Sequence, residues 1–409
     1  MTSAAPWLSL PADTGFGLHN LPFGVFSTSR DDRRRVGVAI GHHVIDVSRL
    51  DLPGALELAD DSLNAFMARG RALWEEFRTR LQEMLTDSGH RAAVAPHLVP
   101  SDEATLHLPI EVADYVDFYS SQHHAENVGR ILRPGSAPLT PNWKHLPIGY
   151  HGRAGTVAVS GTSVIRPHGQ RKAPSDKAPS FGPSTMLDIE AEVGFVVGVP
   201  SPLGAPVGVS GFDRHVFGVC LVNDWSARDI QSWEYVPLGP LLGKSFLTSI
   251  SPWVVPLAAL SSARVPPPVR DPQPLPYLRD DAHPWGFDIE LEVRLNGELI
   301  SSPPFRQVYW TAAQQLAHLT VNGASLRTGD LFASGTVSGP AKDQRGSLIE
   351  LTWGGTEPLG LSGGTTRTFL EDGDEVTMTA TAKSLDGSRL SFGEVRGRVE
   401  PSISAVTSS

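Results

Sequence analysis

The stretch Cys220–Thr248 constrains this chain more than any other. It opens within a short apolar run, Val216, Val219, Leu221 and Val222, of the kind that fills a buried strand. The run ends in Asn223-Asp224, which sets a carboxylate at a strand end. A helical segment can follow as far as Pro237, which lacks the N–H that a helix needs. On such a helix Asp224, Arg228, Gln231 and Tyr235 recur at i, i+4, i+7 and i+11. That spacing puts an acid, a guanidinium, an amide and a phenol on one face. On an ordinary helix a polar stripe is a solvated face. This one springs from a buried strand and runs into Pro- and Gly-rich chain ending at Lys244, which favours a convergent polar site.

Composition sets the frame. The chain has 409 residues, enough for two domains, and 40% of them are hydrophobic, enough for a sizeable core. Gly 40 and Pro 34 exceed average usage, which favours many turns and a mainly β fold. A formal charge of -10 argues against a nucleic-acid footprint. It also means that any anion site must be a local basic cluster. The single Cys220, in a buried strand, excludes an internal disulfide and fits a reducing cytoplasm. Met1–Gly17 has no secretory pattern, and no run of 18 apolar residues is present. The expectation is a soluble cytoplasmic protein without a membrane partner.

Residues 1–107 read as a small N-terminal domain. Phe23–Phe26 predicts a strand, and Val36–Ile40, a Gly-containing turn and Val44–Val47 predict a hairpin. His42 and His43 belong to a polar turn. Leu73, Phe77, Leu81 and Leu85 make an amphipathic stripe over Gly70–Leu85. Leu108-Pro109 is the boundary to a second domain, 108–409. In it, Pro167–Pro183 reads as an aperiodic loop and Val265–Pro284 as an extended, Pro-punctuated excursion. Trp310–Leu319 predicts a short helix, Arg327–Thr336 a turn entering a strand, and Gly346–Trp353 a strand carrying Glu350.

Two segments share one pattern. In Asp188-Ile-Glu-Ala-Glu192, Glu190 and Glu192 project from one strand face, ~7 Å apart along the backbone. Like charges so placed repel unless a cation or base lies between them. With Asp117 and Asp224 they make four carboxylates, an all-oxygen set suited to a hard cation such as Ca²⁺. Asp288-Ile-Glu-Leu-Glu292 repeats the pattern with Glu290 and Glu292. Periodicity cannot separate the two. The second, however, carries Arg294 on the same face and runs into Asn296-Gly297, a hairpin signal, so it reads as a solvated antiparallel strand. By themselves His124, beside His123, reads as polar surface, Asp117 as a turn residue and Glu350 as an exposed strand acid.

Longer motifs change those readings. Asn223-Asp-Trp-Ser-Ala-Arg-Asp-Ile-Gln231, Trp233-Glu-Tyr-Val-Pro-Leu-Gly-Pro240 and Gly243-Lys-Ser-Phe246 closely resemble the fumarylacetoacetase family. So does Asp117-Phe-Tyr-Ser-Ser-x-x-His124, and the resemblance runs from His19-Asn-Leu-Pro22 across nearly the whole chain. It implies an SH3-like N-terminal β-barrel, a C-terminal mixed β-sandwich roll and a homodimer. It implies Ca²⁺ on Asp117, Glu190, Glu192 and Asp224, with His124 as general base oriented by Glu350. Arg228, Gln231 and Lys244 are then the oxyanion donors. Tyr119, Arg133, Gln231, Tyr235 and Thr336 are substrate contacts. Lys244, through its main-chain carbonyl, and Thr248 hold a second ion, Mg²⁺. The activity implied is hydrolysis of the dianionic diketo acid 4-fumarylacetoacetate to fumarate and acetoacetate, the last step of tyrosine and phenylalanine degradation. Two alternatives stand beside it. One is a related metal-dependent acylpyruvate hydrolase or isomerase. The other is a non-catalytic calcium-binding β-sandwich module, which gives no reason for His124, Glu350, Arg228 and Lys244 together.

Overall fold

The computed structural model describes residues 7–11, 14–280 and 285–403. The end of the Pro-rich excursion and the tail after Ile403 lie outside the described residues.

The N-terminal part is built on five strands: β1 (Phe23–Thr28), β2 (Asp31–Ile40), β3 (His43–Asp46), β4 (Leu98–Pro100) and β5 (Ala104–His107). They form one antiparallel sheet in the order β4-β3-β2-β1-β5. The expected hairpin is β2–β3, turning at Gly41 and His42, with His43 opening β3. Helix α1 (Arg71–Thr86) buries Phe77, Leu81 and Leu85, three of the four residues of the predicted stripe.

The rest of the chain supplies β6 (Tyr115–Phe118), β7 (Gly149–His151), β8 (Val157–Val159), β9 (Ala191–Val197), β10 (Val216–Asp224), β11 (Thr248–Ile250) and β12 (Val255–Pro256). It continues with β13 (Ile289–Leu295), β14 (Glu298–Ser301), β15 (Leu331–Ala333), β16 (Glu375–Lys383) and β17 (Arg389–Glu400). Helices α2 (Gln122–Leu132), α3 (Arg228–Glu234), α4 (Ala312–Thr320) and α5 (Leu348–Leu351) lie between them. The central sheet has eight strands, ordered β7-β6-β15-β9-β10-β11-β8, with β12 on the far half of β10. Its pairings are mixed: β6 runs parallel to β15, and β8 to β11. A second sheet, β14-β13-β16-β17, takes Val164–Ile165 as a parallel edge. The fold is sheet-dominated α+β.

The apolar run that opens the critical stretch becomes β10, buried at all nine positions. Side chains alternate across a strand, so Val219 and Leu221 join the core shared with the second sheet. Cys220 and Val222 point the other way, into a core shared with Phe23, Val25, Phe66 and Phe77 of the N-terminal part. A sheet covered on both faces needs continuous apolar strands rather than alternating ones, and β9 and β10 supply them. Burial also pushes the Cys220 thiol up to about 12, which leaves it an inert core residue.

Three expectations are corrected. Asp224 does not open a helix: it closes β10, and α3 starts at Arg228 after a short Ser226–Ala227 strand. Glu350 sits on the helix α5, not on a strand. Within Pro167–Pro183, His168–Arg171 and Ser180–Pro183 pair as a hairpin where an aperiodic loop was expected. The helix expected over Trp310–Leu319 is α4, which starts once Thr311 caps it by accepting the Gln314 N–H at 3.3 Å.

Candidate active site

Three strands of the central sheet assemble the site. Asp117 comes from β6, Glu192 from β9, Glu190 from the residue before it, and Asp224 from the last position of β10. Antiparallel pairing of β9 with β10 brings the last two segments together, and the Asp224 N–H donates to the Glu190 carbonyl at 3.2 Å. One carboxylate oxygen from each of the four lies within 4.8 Å of the others, and all four residues are buried. Burial, reinforced by neighbouring carboxylates, pushes Asp117 and Glu192 well above the usual carboxylate range. Asp117 Oδ1 and Glu192 Oε1 have no hydrogen-bond partner among the described residues. Unpartnered buried oxygens beside like charges fit a divalent cation, and an all-oxygen donor set fits a hard one. Among the described residues this is the one such acidic or imidazole group.

Two cations stand against the cluster. Lys244 Nζ reaches Glu190 Oε2 at 2.5 Å and Asp224 Oδ2 at 2.8 Å. Arg228 Nη1 reaches Glu190 Oε1 at 2.7 Å. Burial disfavours the ionised Glu190, but Lys244 and Arg228 outweigh it and hold that carboxyl below the usual range. Burial likewise opposes the Lys244 charge, while Asp224 and Glu190 restore it and raise the ammonium above its ordinary value. Thr248 donates its hydroxyl to Asp224 Oδ1 at 2.7 Å, and Tyr150 donates to Asp224 Oδ2 at 3.1 Å.

On the other side stands an imidazole held by a carboxylate. Ser121 caps α2 and its hydroxyl accepts the His124 N–H, fixing the first turn that carries the ring. His124 is 3% exposed, and its Nδ1 lies 2.7 Å from Glu350 Oε2. Glu350 also accepts from Ser338 Oγ at 2.9 Å, Ser347 Oγ at 2.7 Å and Asn127 Nδ2 at 2.9 Å. Burial works against its charge, but His124 and these donors hold the carboxyl below its usual range. An ionised Glu350 fixes a hydrogen on Nδ1, so in the neutral ring Nε2 is the acceptor.

The two sides face one cavity of about 390 Å³. Ten of the fourteen sequence-predicted residues line it: Asp117, Tyr119, His124, Arg133, Glu190, Arg228, Gln231, Tyr235, Lys244 and Thr336. Glu192, Asp224, Thr248 and Glu350 stand behind the wall and bond to members of it or to one another. Arg133 ends α2 and donates to the Pro138 carbonyl at 3.0 Å. Thr336 Oγ1 is buried without a partner. Its turn requires Gly335 in the left-handed region (φ 75), where a Cβ would fall 1.9 Å from the Phe118 carbonyl oxygen. Burial raises the Tyr119 phenol above its ordinary value, so it is a neutral donor. His123, half-buried, does not line the cavity. Glu290 is exposed and Glu292 half-buried, and the latter pairs with Arg294 at 3.0 Å. The solvated strand is confirmed, with Asn296 (φ 52) and Gly297 (φ 84) making its turn. Sequence reasoning missed Tyr150, Asn127, Ser338 and Ser347. A Tyr among the turn-forming residues Pro147, Gly149 and Gly152 was the single available signal.

Residues 114–400 match the family model for fumarylacetoacetate (FAA) hydrolase C-terminal, and residues 19–109 the model for fumarylacetoacetase N-terminal. The fumarylacetoacetase of Homo sapiens is 48% identical, with 97% of this chain and 99% of that protein covered. That of Arabidopsis thaliana is 43% identical over 97% and 98%. The structure of a fumarylacetoacetate hydrolase from Exiguobacterium antarcticum shares the fold, with a TM-score of 0.56 at 17% identity over 93% of this chain and 99% of that one. With both halves matched and relatives this similar from end to end, the chain belongs to the fumarylacetoacetase family.

Proposed function

We infer that the chain is a hydrolase that cleaves the carbon–carbon bond of 4-fumarylacetoacetate, giving fumarate and acetoacetate. The observation that carries this is the His124–Glu350 pair at 2.7 Å opening on the same cavity as the four-carboxylate cluster. A binding module has no use for that pair.

Three tasks divide among the residues. His124, oriented by Glu350, takes a proton from water at Nε2 as the water adds to the carbonyl beside the alkene. Arg228, Gln231 and Lys244 donate to the oxygen that becomes negative. The carbon–carbon bond then breaks, its electron pair leaves as the enolate of acetoacetate, and the His124 proton returns to that carbon. A divalent cation on Asp117, Glu190, Glu192 and Asp224 would supply Lewis-acid polarisation of the diketone oxygens. Tyr119, Arg133, Gln231, Tyr235 and Thr336 line the cavity, and to them we assign the substrate and its carboxylates. We assign Ca²⁺ to the four-carboxylate site on its all-oxygen donors. A second ion, Mg²⁺, is proposed at Lys244 and Thr248. The Lys244 side chain is already a cation, so its contribution must be the main-chain carbonyl. We further propose a homodimer in the cytoplasm, and a division at 107/108 between an SH3-like barrel and the catalytic β-sandwich roll.

The test is loss of fumarylacetoacetate absorbance by the purified chain, before and after a chelator and with each divalent cation restored. Turnover that ignores chelation removes the metal from the reading. No turnover under any condition overturns the function.

A further inference from the structure

Asp188 is 0% exposed, and the reaction so far gives it no task. It lies on the two-residue strand Leu187–Asp188, paired with Ser226–Ala227. Each of its oxygens accepts two hydrogen bonds. Oδ1 accepts from the backbone N–H of Ile189 at 2.7 Å and of Leu348 at 2.6 Å. Oδ2 accepts from the backbone N–H of Ile349 at 3.0 Å and from Arg228 Nε at 2.8 Å. One carboxylate therefore ties a cavity-lining guanidinium to the two residues immediately before Glu350.

The consequence is geometric. Arg228 has its Nε fixed by Asp188 and its Nη1 by Glu190, while Nη2 has no partner among the described residues. That leaves one nitrogen for a ligand in a set direction. Glu350 is held in turn by the backbone that Asp188 anchors, and it positions His124. We propose that Asp188 is a positioning residue that holds the oxyanion donor Arg228 in register with the water-activating His124–Glu350 pair. The alternative is a buried carboxylate that supports the fold and nothing else. Misalignment of the two arms lowers the rate of the chemical step more than it weakens binding, because one acts on the attacking water and the other on the oxygen that becomes negative.

The inference rests on the proposed reading of the site, so the wild type is assayed alongside. Asp188→Asn keeps the size and removes the charge. We expect kcat to fall about 10–100-fold, the range for partners that orient catalytic groups, with KM moving less than about threefold. Arg228→Lys, which cannot present Nε to Asp188, supplies a double-mutant cycle. Because Asp188 acts through Arg228 as well as through the backbone before Glu350, adding Asp188→Asn to Arg228→Lys costs less than adding it to the wild type. A kcat within about twofold of wild type in a folded Asp188→Asn protein overturns the proposal, as do effects that multiply in the double variant. Should Asp188→Asn not fold, Asp188→Ser, smaller and unable to clash with the four donors, is read by the same two criteria. A wild type that does not turn over fumarylacetoacetate overturns the reading of the site instead.

Discussion

Asp188–Glu192 and Asp288–Glu292 differ only at Ala191 against Leu291, yet one builds the site and the other faces water. Glu190 and Glu192 are 5% and 0% exposed, while Glu290 is exposed and Glu292 half-buried against Arg294. The difference lies in what covers the strand. β9 sits mid-sheet between two cores, so both of its faces are dry and its acids keep their charge only with help from Lys244, Arg228 or a metal. β13 alternates buried and open positions, and water solvates its acids. The adjacent histidines repeat the contrast over one residue: His124 meets Glu350, while His123 stays off the cavity. A motif becomes chemistry when the fold takes its water away.

The contrast can be broken at several points. The largest effect is expected at the histidines. His124→Ala should lower kcat about 10²–10⁴-fold with metal content intact, while His123→Ala stays near wild type. A dead His123→Ala beside an active His124→Ala reverses the assignment. Next come the two strands. Glu192→Gln should abolish divalent-cation binding in calorimetry and lower activity by at least about 100-fold, and Glu290→Gln should do neither. Loss of metal on changing Glu290 alone means that the wrong strand was chosen. Glu350→Gln should cost about tenfold in kcat, since the ring is misdirected but still present.

Smaller, but more telling about the dry strand, is the pH dependence of the chelated protein. Asp117 and Glu192 are raised above their unfolded values. Their contribution to stability is therefore fully present below the ordinary carboxylate range and is lost as pH rises through the folded values. From about pH 5 upward the metal-free Tm should fall, and saturating cation should flatten the slope. Glu350, held low, acts in the opposite sense at the acid end, losing its contribution as pH falls. A metal-free Tm that rises steadily between about pH 5 and pH 8 would contradict the repulsive cluster. The smallest effect belongs to the open strand: Glu292→Ala removes a half-buried pair with Arg294 at the surface and should shift stability by no more than about 0.5 kcal/mol in urea denaturation.

Much of this was legible in the residues. The β2–β3 hairpin, α1, the turn at Asn296-Gly297 and the apolar strand before Asp224 follow from local pattern. What was not legible depends on distant partners. Gly346–Trp353 has a strand-like composition, but Asp188, some 160 residues earlier, captures the N–H groups of Leu348 and Ile349 and holds a helical turn there. The hairpin inside Pro167–Pro183 packs Gly169 where a Cβ would meet Ile230 of α3, and it stacks His168 on Phe181. No periodicity announces either contact. Asp188 itself is one acid in a repeated pattern, and its use shows only when three segments meet.

The shared core behind β10 has a consequence for anyone who would cut the molecule in two. Cys220, Val222, Val196 and Ile250 meet the N-terminal aromatics Phe23, Phe66 and Phe77 on the reverse of the strands that end in the site. A fragment starting at residue 108 would turn that greasy underside to solvent and be a precipitate before it was an enzyme. Conversely, a lesion in the first hundred residues that loosens this packing would read, in an assay, as a catalytic defect in a protein whose every reacting group is intact.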